Sequence, residues 1–144
     1  MIEKDTVRLL RECDAGIKMG AASIRDMLPY AKGEKIKRRL EAAKAEHGRL
    51  AAECEDMLLE YRDEGKSPSP IASGMSKIKT AMKLGLQPSE HSIADLICDG
   101  CNMGIKSLSE YLNKYTAADE RAKDIAKKVI AMEDKLSTDM RGFL

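Results

Sequence analysis

Residues 16–28, GIKMGAASIRDML, align without gaps on residues 100–112, GCNMGIKSLSEYL. Gly16, Met19, Gly20, Ser23 and Leu28 recur as Gly100, Met103, Gly104, Ser107 and Leu112, and Ile24 and Asp26 recur conservatively as Leu108 and Glu110. Five identities in thirteen positions exceed the roughly one expected from average composition. A weaker match pairs Ala45, Arg49, Leu50 and Glu53 with Ala131, Lys135, Leu136 and Asp139. The two offsets, 84 and 86 residues, are nearly equal. The chain therefore repeats a two-helix unit, and such a unit buries its apolar face only against a partner.

Working outward, four segments carry apolar residues at alternating spacings of three and four, the signature of amphipathic helices. The first stripe runs Leu10, Cys13, Ile17, Gly20, Ile24, Met27 and stops at Pro29. The second runs Ile36, Leu40, Ala43, His47, Leu50, Cys54, Met57, Tyr61. The third runs Ala94, Ile97, Cys101, Gly104, Leu108, Tyr111, Tyr115, and the fourth Ala122, Ala126, Val129, Glu133, Leu136, Met140, Phe143. Pro29 and Gly33 leave a loop short enough to force an antiparallel hairpin. Thr116-Ala-Ala-Asp119 reads as a capping box opening the fourth helix, and Ser89 or Ser92 can cap the third. Between the hairpins, the breaker cluster of residues 65–70 precedes a shorter amphipathic stripe at Ile71, Met75, Ile78 and Met82, ended by Gly85 and Pro88.

The expectation is a single all-α domain over residues 1–144: hairpin 1 over 3–64, a crossover with a short helix over 65–88, and hairpin 2 over 89–144. A connection of this length can cross a bundle, so that the third helix runs parallel to the second.

One Phe and no Trp in 144 residues suit helices and argue against sheets. A net charge of +1 leaves no footprint for nucleic acid or an anionic membrane. The basic run Lys35-Ile-Lys-Arg-Arg39 is followed by Glu41 and Glu46 and reads as a solvated helix face. No stretch approaches the ~20 apolar residues of a membrane span, and the first residues lack the pattern of a signal peptide. A cytoplasmic protein with reduced cysteines is expected.

The two-hairpin repeat, the long crossover and the segment Ala45-Glu46-His47 together resemble the ferritin-like superfamily, most closely small bacterial ferritin-like proteins of unassigned role. The resemblance spans nearly the whole chain. It implies a four-helix bundle with an internal two-fold repeat of helix hairpins. In iron-binding members, the first and third helices each give a glutamate, and the second and fourth each give Glu-x-x-His. Carried over position by position, the two glutamates fall on Ile17 and Cys101. The second-helix motif falls on Lys44-Ala-Glu-His47, and the fourth-helix motif on Ile130-Ala-Met-Glu133. Only His47 keeps its family identity, so the resemblance implies a bundle without the di-iron centre.

Lys44, His47, Cys101 and Glu133 are expected to form a polar cluster in the core. One reading is a hydrogen-bonded relic in which Lys44 or His47 meets Glu133. A second is a single metal ion such as zinc on His47, Cys101 and Glu133, and a third is a Cys101 thiol activated by His47. Cys98-Asp-Gly-Cys101 reads as two reduced thiols inside a helix rather than a redox pair. Gly16, Gly20, Gly100 and Gly104 are expected to let the first and third helices pack closely; the alternative is room for a ligand against the backbone. Met19, Met27, Met103 and Met132 read as core filler, and His91 as a surface residue.

The function expected is that of a non-enzymatic ferritin-like bundle without a cofactor, acting through its surface or through self-association as a twofold dimer. The alternatives are a metal-binding or thiol-redox protein and a carrier of small molecules in the bundle core. Leu9, Leu59, Leu96, Ile105 and Ile125 lie off the main stripes and are candidates to cover an interface or to pack under the crossover helix.

Overall fold

The computed structural model describes residues 2–63 and 88–144. Among these residues the elements are four long helices: α1 (Ile2–Met27), α2 (Glu34–Glu60), α3 (Glu90–Lys114) and α4 (Glu120–Arg141), with a 3-10 turn at Leu28–Tyr30. No strand occurs among the described residues. The crossover expected at 65–88, with its short amphipathic helix, lies outside them except for Pro88.

Local chemistry sets the helix ends. Pro29 fixes its own φ and has no N–H to donate, so α1 gives way to the 3-10 turn that contains it. Gly33, in extended conformation, is the N-cap of α2. Ser89 caps α3 by accepting the Ser92 backbone N–H at 3.0 Å. The expected capping box at Thr116 is displaced by three residues. A turn closes from Tyr115 to Ala118, and Asp119 becomes the N-cap of α4, accepting the Ala122 N–H at 2.8 Å. Two side chains of α1 hold that turn: Asp5 accepts the Ala117 N–H at 3.1 Å and Thr6 accepts the Asp119 N–H at 2.8 Å.

The core divides into two clusters, and their membership gives the helix directions. One cluster joins Leu9, Leu10, Cys13 and Ile17 of α1 to Leu50, Cys54, Met57 and Leu58 of α2, with Leu108 of α3 and Ala122, Ile125 and Val129 of α4. The other joins Ile24 and Met27 to Ile36 and Leu40, with Ile93 and Ile97 of α3 and Leu136 and Met140 of α4. The first half of α1 thus meets the second half of α2, the second half of α3 and the first half of α4. Hence α1 and α4 run one way, and α2 and α3 the other. The packing is tightest within each hairpin, α1 on α2 and α3 on α4, and α1 also touches both α3 and α4. Each fully buried Leu, Ile or Met side chain contributes roughly 1.5–3 kcal/mol, so these two clusters dominate the stability.

Of the off-stripe apolar residues, Leu9 and Ile125 are buried in the core, Leu96 and Ile105 are half-buried, and Leu59 is 67% exposed. The basic residues Lys35, Lys37, Arg38 and Arg39 are exposed on α2, with Arg39 facing Asp139 at 3.8 Å. His91 is exposed. No helix among the described residues is long and apolar enough to cross a membrane.

Candidate functional site

Where the two core clusters meet, one side chain from each hairpin crosses the bundle. His47 of α2 is fully buried, and its Nε2 lies 3.0 Å from Oε1 of Glu133 on α4, itself only 7% exposed. The other ring nitrogen, Nδ1, lies 2.7 Å from the Ala43 carbonyl. A carbonyl can only accept, so Nδ1 carries a proton and donates to it. The Nε2–Oε1 contact then needs one further proton, carried either by an imidazolium facing a carboxylate or by a carboxylic acid facing a neutral imidazole. Both arrangements are electroneutral, as a buried pair requires to offset its desolvation.

Cys101 of α3, buried, completes the cluster. Burial first, then the charge of Glu133 and a hydrogen bond to it, push the Cys101 thiol well above its ordinary range. It therefore remains an S–H that donates to the Glu133 carboxyl group. A thiol held protonated is a poor nucleophile and a poor metal ligand. Cys98, one turn earlier, donates to the Ser137 carbonyl at 3.7 Å. All four cysteines are free. Among the described residues, no group of three or more His, Cys, Asp or Glu side chains is placed to hold a metal ion.

Lys44 does not join the cluster. It is exposed on α2, and the partner expected for it, Glu133, is held by His47. At about 100° per residue, Lys44 lies about 60° around the helix from His47, beyond the edge of the buried stripe. Its ammonium keeps its hydration there.

The four glycines also depart from expectation. A Cβ built on Gly16 or Gly100 would meet nothing within 4 Å among the described residues, so neither marks a close contact between the described helices. On Gly104 it would make an ordinary contact, 3.9 Å from Cγ of Glu133. Only Gly20 is tight: its Cβ would stand 2.6 Å from His47 Nε2 and 3.0 Å from Cδ2. The glycine makes room for the Nε2–Cδ2 edge of the imidazole against α1. Close approach is thus between a helix and the His47 ring, not between α1 and α3.

The other glycines open a cleft between α1 and α3, of about 270 Å³. Its floor is His47, Cys101 and Glu133, and its walls include Ile24, Leu96, Leu108 and Leu136. Met19 and Met103 line it as well, and Met103 is 55% exposed. These two methionines are not the core filler expected of them, whereas Met27 and Met132 are buried. Sequence reasoning also missed Ser23, Ser107 and Tyr111, which line the same cleft. The recurrence of Ser23 as Ser107 was the available signal. Asp14, a fully buried carboxylate of α1, was missed too; its salt bridge to Lys18 at 2.7 Å follows an Asp-x-x-x-Lys spacing.

Comparison of the chain with protein families, curated proteins and solved structures gives no match.

Proposed function

We propose that this chain is a non-enzymatic ferritin-like bundle in which the His47–Glu133 pair stands in place of a di-iron centre. One observation carries the reading. His47 and Glu133 occupy equivalent places in the two halves of the sequence repeat, and they are hydrogen-bonded to each other across the core at 3.0 Å. Residues on a pseudo-twofold axis meet in this way. The antiparallel hairpins and the shared direction of α2 and α3 agree with the crossover order of ferritin-like bundles. Gly20 faces His47 as Gly104 faces Glu133, as two-fold related halves require.

The donor set does not fit two irons. Two divalent ions in a low-dielectric site need several carboxylates to offset their charge. At the six positions where such bundles hold ligands stand Ile17, Lys44, His47, Cys101, Ile130 and Glu133, with a single carboxylate among them. The proton shared by His47 and Glu133 occupies the lone pair that a metal would use. With a single carboxylate at the six ligand positions and the Cys101 thiol held protonated, the reading is of a protein that works by binding, through its surface or by self-association as a twofold dimer in the cytoplasm. Leu59, 67% exposed on α2, is the most exposed large apolar side chain among the described residues and is available to such a contact.

Protein purified without chelators from iron-replete cells should carry well under one equivalent of iron or zinc by elemental analysis. It should not oxidise added ferrous iron in air. Stoichiometric iron uptake would overturn the reading. Light scattering at high micromolar concentration should give twice the chain mass, and a monomer there would remove the dimer.

A further inference from the structure

Of the five residue pairs that are identical between residues 16–28 and 100–112, four line the α1–α3 cleft: Gly16 and Gly100, Met19 and Met103, Gly20 and Gly104, Ser23 and Ser107. What the two helices share is therefore the lining of this cavity rather than a packing interface. We infer that the cleft binds a flat, uncharged aromatic molecule carrying one hydrogen-bond donor, a phenol or an aryl alcohol, with its donor on the Glu133 carboxyl group.

Each part of that chemistry comes from a named feature. Glycines on both walls remove the side chains that would keep a planar ring from the helix backbones. Methionine sulfurs on both walls make favourable contacts with aromatic rings. The volume, about 270 Å³, exceeds the roughly 150 Å³ in which an apolar cavity takes up benzene, so two fused rings fit. The floor sets polarity. His47 spends both ring nitrogens, on Ala43 and Glu133, and Cys101 spends its S–H on Glu133. The remaining lone pairs of the Glu133 carboxyl group are left as acceptors. Among the described residues no Lys or Arg lines the cleft, whereas Glu12 and Glu133 do. An anion would lose its hydration there without a counter-charge. The inference stands whether or not the bundle descends from an iron-binding one, since it uses only groups present in the cleft.

The probes are 2-naphthol and, as the anionic counterpart on the same rings, 2-naphthoate. Calorimetry should detect 2-naphthol binding to the full chain, with 2-naphthoate at least ten-fold weaker. Gly16→Leu/Gly100→Leu fills the cleft from positions where added atoms meet open space. It should weaken 2-naphthol at least ten-fold while keeping the helical circular dichroism of the wild type. If the leucines disturb folding, methionine-methyl NMR of the wild type decides instead. Added 2-naphthol should shift Met19 and Met103 and leave the remote core residue Met57 in place. No binding at millimolar probe, equal binding of the two probes, undiminished binding to a folded leucine variant, or shifts that spare Met19 and Met103 would each overturn the inference.

Discussion

Gly20→Ala should destabilise the bundle, and Gly104→Ala, at the matching place in the other half, should stabilise it. Both replacements gain about 0.8–1 kcal/mol of helix propensity. Their surroundings differ. At Gly104 the new methyl meets Glu133 Cγ at 3.9 Å, an ordinary contact, and the propensity gain is retained. At Gly20 it would stand 2.6 Å from Nε2 of His47, so something must move by about an ångström to restore van der Waals separation. The imidazole cannot yield cheaply, because it is fully buried and held at both nitrogens, 2.7 Å from the Ala43 carbonyl and 3.0 Å from Glu133. Removing one partner of a buried pair costs about 3–5 kcal/mol. Distorting the pair should forfeit about 2–4 of these, for a net loss of about 1–3 kcal/mol. Urea denaturation followed by far-ultraviolet circular dichroism measures this directly, with unchanged slopes showing that the midpoints compare like with like. If Gly20→Ala proves as stable as Gly104→Ala, the pinned imidazole is not what fixes this layer of the core.

Three further outcomes follow from the same structure. Lys44→Ala should change stability by less than about 0.5 kcal/mol in the same denaturation assay, since the side chain is exposed; a loss of several kcal/mol would return Lys44 to the core. Asp119→Ala removes the acceptor for the Ala122 N–H and for the Tyr61 hydroxyl and should cost about 1–2 kcal/mol, read as a lower urea midpoint. Stability should also decline in alkali. Burial pushes the Cys54 thiol up to about 12 from an ordinary 9.0 and raises Cys13 and Cys101 as well. The unfolded chain therefore releases these protons first. The contribution is whole below pH 9 and is lost as pH rises towards 12, by about 1.4 kcal/mol per pH unit per thiol. Urea midpoints at about pH 8 and about pH 10 should differ accordingly, and Cys54→Ala should shrink the difference.

The helices were legible in the sequence because burial at a 3.6-residue period is written directly into residue type. Ile36, Leu40, His47, Leu50, Cys54 and Met57 of the second stripe are all buried in α2. Helix direction was legible only as a possibility, from the length of the connection. At the site, the pairing of His47 with Glu133 could be anticipated because both lie on buried stripes. Lys44 could not be placed the same way, since a motif counted in residues ignores where the edge of the stripe falls. The glycines misled for a related reason. A glycine in a helix announces that something comes close or that something is left open, and only the distance between α1 and α3 separates the two. Thr116 misled because a capping box is local, whereas the turn it sits in is fixed from α1 by Asp5 and Thr6.

The bond between His47 and Glu133 spans 86 residues of sequence, which gives it a place in time as well as in space. Each hairpin can form from contacts between neighbours in the chain, whereas this bond waits until the two hairpins dock. Closing the intervening chain costs entropy before this contact repays it, and the expectation is that the pair forms after the transition state, with a φ-value near zero. Interactions absent from the transition state act on the unfolding rate alone. A loss of 2 kcal/mol at this pair would therefore leave refolding almost as fast and speed unfolding about 30-fold. A pair with that φ-value acts as a latch on the finished bundle, governing how long it stays shut and hardly how fast it closes.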